Sequence, residues 1–373
     1  GLTINGTAGV VLTTQHLGVL PTKNWQQGTF DGWENIHGER LTEKYLVSNK
    51  ACYACPIGCG RKTRVEDPAF AGEGEGPEYE TIYAMGSNCM IDNLAAVVKA
   101  NYLCNELGLD TITMGATVAC AMELVDRGYL SAKVVGRPLS WGDGEALVEL
   151  TRMTAYREGF GNRLAEGSYR LAESCGHPEL AMVSKKQEFP GYETRGAQAM
   201  GLAYATSPIG GSHMRGDPAY FELFGIPQPV DPHQWKGKAK ITKAFQDLSA
   251  VIDSAGLCIF FAVRNLAGKE LDVPPVGILE YLNAATGLDY TLEELMRAGE
   301  RIITAERRFL VRSGMSRKDD SLPRRLTHEP MPSGPAQGMV CHLEEMLDEY
   351  YQEQEWTPEG IPTENRLASL GLT

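Results

Sequence analysis

Three cysteines within eight positions constrain this chain more tightly than any other feature. "NKACYACPIGCGRKTR", residues 49–64, sets Cys52, Cys55 and Cys59 in the spacing C-x2-C-x3-C. The full chain has 9 cysteines, an odd number, which suits a reduced compartment with some thiols on metal better than a secreted disulfide framework. A structural zinc site takes four ligands, and no fourth donor is local here. Radical enzymes that use S-adenosylmethionine show the reverse order, C-x3-C-x2-C, ahead of repeated strand–helix units that are absent from this sequence. A cubane iron–sulfur cluster takes four thiolates, commonly a compact run plus a remote cysteine. The run fits that pattern: Gly58 and Gly60 free backbone N–H groups to turn toward sulfide, and Pro56 stiffens the loop. Iron–sulfur is favoured over zinc or a purely structural role. For the remote ligand, Cys104 and Cys120 lie mid-helix among apolar neighbours and Cys175 at a helix end, which reads as buried or idle thiols. Cys258 follows a helix in a loop, and as fourth ligand it would set the cluster beside whatever its surrounding motif binds.

With 373 residues and 43% hydrophobic content the chain can bury a large core, and its length favours two domains. No apolar run approaches the roughly 20 residues needed to cross a bilayer. The opening "GLTINGTAGVVLTTQ" lacks a basic n-region and a cleavage site, so a cytoplasmic protein with no membrane contact is expected. A net charge of -13 repels phosphate backbones, and nucleic acid is not an expected partner.

Helical periodicity dominates from residue 90 onward. The first 33 residues, rich in Gly and Thr, read as irregular loops with a short strand. Asp92 is the expected N-cap of a helix whose Leu94, Val97, Val98 and Leu103 share a face and which Gly108 closes. Further amphipathic segments follow: "ATVACAMELVDRG", "GEALVELTRMTAYREG" and "NRLAEGSYRLAESCG", each ended by glycine. Residues 181–189 read as extended, and "PGYETRG" as a loop and domain boundary. Helices are expected at about 238–255, 275–286, 292–312 and 338–353, the third with the capping-box pair Thr291 and Glu294. The expected fold is therefore mainly α, two helical domains with few short strands: 1–185 with the cysteine loop, and 186–373 with Cys258.

"NELGLD" (105–110) and "DSAGLC" (253–258) echo each other, one in each half. Each ends a helix at a glycine, and a carboxylate three residues before it can accept parallel N–H bonds from a planar 2-amino heterocycle. Taken alone, two glycine-terminated helices in a helical protein more often resemble each other by chance.

In order and spacing, "ACYACPIGCGR", "GEGPEYET", "NELGLDT", "YATSPIGGSHMRG" and "DSAGLC" resemble the second and third domains of the tungsten-containing aldehyde:ferredoxin oxidoreductases, from about residue 5 to the C-terminus. The resemblance implies a tungsten, or in some relatives molybdenum, held by the dithiolene sulfurs of two pterins, with a [4Fe-4S] cluster nearby. It assigns the cluster to Cys52, Cys55, Cys59 and Cys258. It assigns the pterins to two motifs, Asn105, Gly108, Leu109 and Asp110 in the first, and Asp253, Gly256, Leu257 and Cys258 in the second. Asn105 stands where the family has Asp, so charge-assisted pairing is lost there. Lys99 and Tyr102 stand where some members carry a Glu-x-x-His that binds a metal bridging two subunits; no bridging metal is expected, and a homodimer is left open. The family's N-terminal pterin-base domain has no counterpart in this sequence, so activity and pterin retention are expected to depend on it.

Glu80 precedes the apolar "TIYAMG", and by resemblance it is the active-site carboxylate, with Glu78 and Tyr79 beside it. Glu73 and Glu75 read as a solvated loop. His213, flanked by glycines in "GGSHMRG", reads on sequence alone as a structural histidine; by resemblance it faces the metal and donates a proton to substrate oxygen. Arg61 and Arg64 read equally as cluster or phosphate partners and as solvated side chains. The implied reaction is oxidation of an aldehyde to a carboxylic acid with oxygen from water, electrons leaving singly through the cluster to ferredoxin or a similar acceptor. A low-potential reductase of the aromatic acyl-CoA type would share these motifs, and a non-catalytic iron–sulfur module is the reading from outside enzymology.

Overall fold

The computed structural model describes residues 1–226, 228–264 and 276–373. The chain divides into two compact units, Gly1–Gly196 with Pro323–Val340, and Ala197–Leu322 with Cys341–Thr373. Both are built mainly from helices, with short strands, among the described residues, confined to 46–75 and 183–188. Among the described residues no helix is long and apolar enough to cross a membrane.

The first unit centres on helices Tyr79–Met85, Leu94–Leu107, Thr111–Asp126 and Gly144–Tyr156. Asn93, not Asp92, caps the second of these: its side chain accepts from the N–H groups of Ala95 and Ala96, while Asp92 accepts from Asn35. Both residues are good caps, and only the backbone turn decides which one sits at the helix mouth. Gly115 lets Thr111–Asp126 cross Tyr79–Met85 closely; a Cβ there would lie 2.5 Å from the Ala84 carbonyl carbon. The first 33 residues differ from the loop-and-strand expectation, because Val10–Leu17 is a helix that buries Val11 and Thr14 and ends at left-handed Gly18.

The second departure lies around the cysteines. Leu46–Lys50 (β1), Gly60–Val65 (β2) and Gly72–Glu75 (β3) form an antiparallel sheet in the order β1-β2-β3. Glu73 and Glu75, expected in a solvated loop, lie on β3, opposite Arg64 and Lys62. The strand is disguised in sequence because alternate positions are glycines packed beneath the Tyr102 ring, where a Cβ would come within 2.9 Å at Gly72 and 2.7 Å at Gly74. Residues 181–189 hold a small hairpin, Val183–Ser184 paired with Gln187–Glu188 through left-handed Lys185 and Lys186.

The second unit packs Lys238–Ser254 against Leu292–Arg312, with Gly299 so close to Asp247 that a Cβ would stand 2.2 Å from its carbonyl oxygen. Thr291 and Glu294 form the expected capping box. Two apolar clusters fill this unit, one around Leu202, Met346, Tyr350 and Tyr351, the other around Phe221, Phe245, Ile252 and Ile259. The helix expected over 338–353 begins only at Leu343. Residues 323–340 belong to the first unit instead. There Arg325 reaches the buried carboxylate of Glu123 at 2.6 Å and 2.9 Å.

Candidate functional site

The three cysteines occupy the loop that joins β1 to β2, closed by the pairing of Lys50 with Gly60. Cys52 is exposed and Cys55 and Cys59 are half-buried. The N–H of Cys55 bonds Cys52 O at 3.0 Å, and Gly58, with φ of 59°, takes the left-handed conformation that turns the loop. Ile57 donates its N–H to Cys55 Sγ at 3.4 Å. The N–H groups of Gly58 and Ile57 hold the Cys55 thiol below its ordinary pKa, as a ligand thiolate requires.

Arg61 is not solvated. It is buried, and its guanidinium donates to Gly58 O and Gly60 O at 3.2 Å and 3.0 Å and to Leu2 O and Thr3 O at 2.7 Å and 3.0 Å. One cation thus ties the carbonyls of both residues that flank Cys59 to those of Leu2 and Thr3. Arg64 is exposed and pairs with Glu73 at 2.6 Å.

Among the described residues, no group of three or more His, Cys, Asp and Glu side chains is placed to hold a metal ion. A single-ion zinc centre needs such convergence. A cubane cluster takes its thiolates from positions spread across its own width, and the loop between β1 and β2 offers three of them. Cys258 is exposed in the second unit. Its carbonyl accepts from Phe261 and Ala262 at the start of the helix Ile259–Arg264. Cys104 and Cys120 are buried, with the Cys104 thiol pushed up to about 12 and the Cys120 thiol higher by desolvation. Neither is poised as a thiolate.

Glu80 opens the helix Tyr79–Met85, and its Oε2 accepts the N–H of Gly191 at 2.7 Å. Tyr79 donates its hydroxyl to the carbonyl of the same glycine. Tyr83 bonds Phe189 O at 3.1 Å and receives Trp25 Nε1 at 2.9 Å. Burial first, and the Glu80 charge second, raise Tyr79 and Tyr83 well above their ordinary values, so both remain O–H donors. Gly191 lay outside the sequence candidates; "PGYETRG" gave no signal beyond a turn. A Cβ there would sit 2.7 Å from the Tyr83 ring and 3.0 Å from Tyr79 Oη. Gly191→Ala is therefore expected to displace both rings and lower stability by about 1–3 kcal/mol, read by thermal denaturation and by a shift in Trp25 fluorescence.

The two echo motifs share a local geometry. Gly108 and Gly256 are left-handed, with φ of 72° and 67°, and nothing stands within 4 Å of where a Cβ would be. The same open, left-handed geometry occurs at Gly128, Gly136 and Gly176, so it marks helix ends in general. Asn105 donates to Glu75 O at 3.3 Å. Asp110 Oδ2 accepts the Thr113 N–H at 2.7 Å and so caps Thr111–Asp126, which commits that carboxylate to the fold. Leu109 N–H bonds Cys104 O at 2.9 Å and Leu257 N–H bonds Ile252 O at 3.1 Å, which closes both helices alike.

In the second unit, Asp253 is exposed and faces Arg215 at 3.5 Å. Arg215 belongs to the loop that carries His213. Gly216 seats that loop on Lys238–Ser254: with φ of 121°, it leaves no room for a Cβ, which would lie 2.5 Å from Gln246 Cγ. Desolvation pushes His213 down to about 4, so at neutral pH its ring is uncharged and offers an N–H hydrogen bond, not an imidazolium proton. Asp217, which sequence reasoning passed over, is buried nearby in the chain and pushed up to about 7 by desolvation.

The fold is shared with a solved structure described as the active-site complex BamBC of benzoyl-coenzyme A reductase with 1,5-dienoyl-CoA, at a TM-score of 0.73 over 98% of this chain and 60% of that one and 20% identity. The family model for aldehyde ferredoxin oxidoreductase, domains 2 and 3, matches residues 1–372, and the chain belongs to that family. It is 46% identical to the tungsten-containing aldehyde ferredoxin oxidoreductase of Pyrococcus furiosus and 44% identical to that of Thermococcus kodakarensis, in each case over 100% of this chain and 60% of the relative. The aliphatic sulfonate oxidoreductase WOR-like subunit of P. furiosus is 31% identical over 94% of this chain and 55% of the relative. The chain thus spans about 60% of the length of the aldehyde oxidoreductases it matches.

Proposed function

We propose that this chain supplies the cluster-bearing and pterin-facing part of a cytoplasmic tungsten or molybdenum oxidoreductase. Its reaction is oxidation of aldehydes to carboxylic acids, with electrons passed through a [4Fe-4S] cluster to ferredoxin. The observation that carries the reading is the family match over residues 1–372, reinforced by 46% identity to an enzyme named for tungsten, aldehyde and ferredoxin. Cys52, Cys55, Cys59 and Cys258 are the proposed cluster thiolates. The peptides of 105–110 and 253–258 are the proposed pterin seats, with Asp110 contributing backbone because its carboxylate caps a helix.

The pterin-held metal, when bound, supplies the two-electron redox chemistry. The protein's own contribution is proton handling and position. Glu80, held as an acceptor by Gly191 N–H, takes the proton of the attacking water or aldehyde hydrate. Tyr79 fixes Gly191 from its other side, so the carboxylate is aimed by a backbone that cannot accept a Cβ. His213, uncharged at neutral pH, donates an N–H bond to substrate oxygen.

Aldehyde-dependent viologen reduction by the complete, anaerobically purified protein tests the reading. Activity with aldehydes and none with an aromatic acyl-CoA is the expected result; the reverse pattern would make it a reductase of the second type. Glu80→Gln keeps the Gly191 bond but loses the base, and is expected to lower kcat roughly a hundredfold with little change in KM.

A further inference from the structure

Helix Lys238–Ser254 meets the loop that carries His213 at both of the loop's feet. Gln246, buried in the middle of that helix, donates its Nε2–H to Thr206 Oγ1 at 3.0 Å, where the helix Gln198–Thr206 ends and the loop begins. Thr206 passes its own proton to Leu202 O at 2.8 Å. The stem of the same glutamine lies under the loop's far end, since its Cγ, Cα and N are the atoms a Cβ at Gly216 would meet. Its Oε1 accepts the hydroxyl of Tyr350, on the helix Leu343–Glu353, and Tyr350 Oη accepts from Gln354 Nε2 at 3.0 Å. Both polar ends of a buried amide are thus satisfied, which fixes its rotation as well as its place. Two helical turns on, and so on the same face, Asp253 pairs with Arg215 beside Gly216. One helix therefore holds the loop at Thr206, Gly216 and Arg215, and the same helix ends in the second proposed pterin seat. None of the roles assigned above uses Gln246, and "KAFQDLSAVIDS" does not single it out.

We propose that Gln246 is a positioning residue for His213: its amide and stem fix residues 207–216 to the helix that leads into the second pterin seat, so that helix sets where His213 stands relative to substrate oxygen. The proposal rests on the reading that His213 donates to that oxygen. The loop has little to hold it from within. "SPIGGSHMRG" contains three glycines, Gly210 and Gly216 have positive φ, and Ile209 and Met214 are exposed. A shift of about 1 Å in a group that acts on a reacting atom can cost about a hundredfold in rate, so the anchor of such a loop bears directly on turnover.

The test uses the complete protein and two variants: Gln246→Met, which keeps a stem beneath Gly216 and loses both amide bonds, and Tyr350→Phe, which loses one. Hydrogen–deuterium exchange read by mass spectrometry reports on the loop without any turnover. Exchange over 207–217 is expected to rise about tenfold in Gln246→Met, with Leu292–Arg312 unchanged. The kcat for aldehyde should fall about tenfold in Gln246→Met and less in Tyr350→Phe, while KM and the iron and tungsten contents stay within about twofold. In a His213→Ala background the same Gln246→Met change should lower kcat by less than about twofold, because the side chain it positions is gone. Should Gln246→Met fail to fold, Tyr350→Phe carries both measurements. Unchanged exchange over 207–217 would overturn the proposal, and so would an equal loss of kcat with and without His213, which marks a purely structural role. A wild-type protein with no aldehyde turnover, or a His213→Ala variant at the wild-type rate, would instead overturn the proposed function or the place of His213 in it, while the exchange measurement still decides whether Gln246 holds the loop.

Discussion

Cys55→Ser is expected to strip iron from the complete protein: about four irons per chain in the wild type, a fraction of that in the variant, and loss of the broad visible absorbance with it. Aldehyde-dependent viologen reduction should fall to background. Cys55 is the residue to change because the loop is built around it. Two backbone N–H groups favour its thiolate, one of them at 3.4 Å, and Arg61 holds the carbonyls of the two residues on either side of Cys59. A serine oxygen is harder and is a poorer ligand than a thiolate for the iron of a sulfide cluster. Cys258→Ser should give the same loss, and retained iron content and spectrum in that variant would remove Cys258 from the ligand set. Cys175→Ser is the control. Its sulfur only accepts from Arg163 at 3.6 Å, and iron content should be unchanged.

The largest stability effect is expected at a site far from the cysteines. Glu123 is fully buried and accepts from Asn24 at 2.6 Å, Arg127 at 2.8 Å, and both terminal nitrogens of Arg325. Arg325 also donates to Asn24 O at 2.6 Å, so one side chain ties the returning segment 323–340 to the body of the first unit. Arg325→Ala leaves a carboxylate at zero exposure without its bidentate partner, which costs about 3–5 kcal/mol. The unfolding midpoint should fall by roughly 10 °C. Glu123→Gln should cost less, because an amide retains one acceptor and buries no charge. Arg64→Ala, which breaks an ion pair on the exposed sheet face, should leave the midpoint where it was. Equal losses in Arg325→Ala and Arg64→Ala would refute the assignment of stability to the buried pair.

Much of the site's chemistry was legible because it is written in neighbouring residues. C-x2-C-x3-C with interspersed glycines states a thiolate loop, and Thr291 with Glu294 states a helix start, since each interaction spans three or four residues. The two glycine-terminated helices were readable for the same reason. Where adjacent residues were equally able, the sequence left the choice open: Asp92 and Asn93 are both competent caps, and β3 hid its strand character behind glycines chosen to fit Tyr102.

What only the tertiary structure decided is where buried polar groups find their partners. Glu80 takes its N–H from Gly191, 111 residues away. Arg61, adjacent to the cysteines, joins their loop to the carbonyl of Leu2, 59 residues back. Glu123 meets Arg325 across 202 residues, and that pair holds in the first unit a segment whose flanks on both sides belong to the second. A buried charge must be matched wherever the chain happens to bring a donor, and no local spacing encodes that meeting. The residues proposed for the chemistry could thus be picked out in the sequence alone, whereas the partners of Glu80 and of Arg61 beside the cysteine loop were set by the fold.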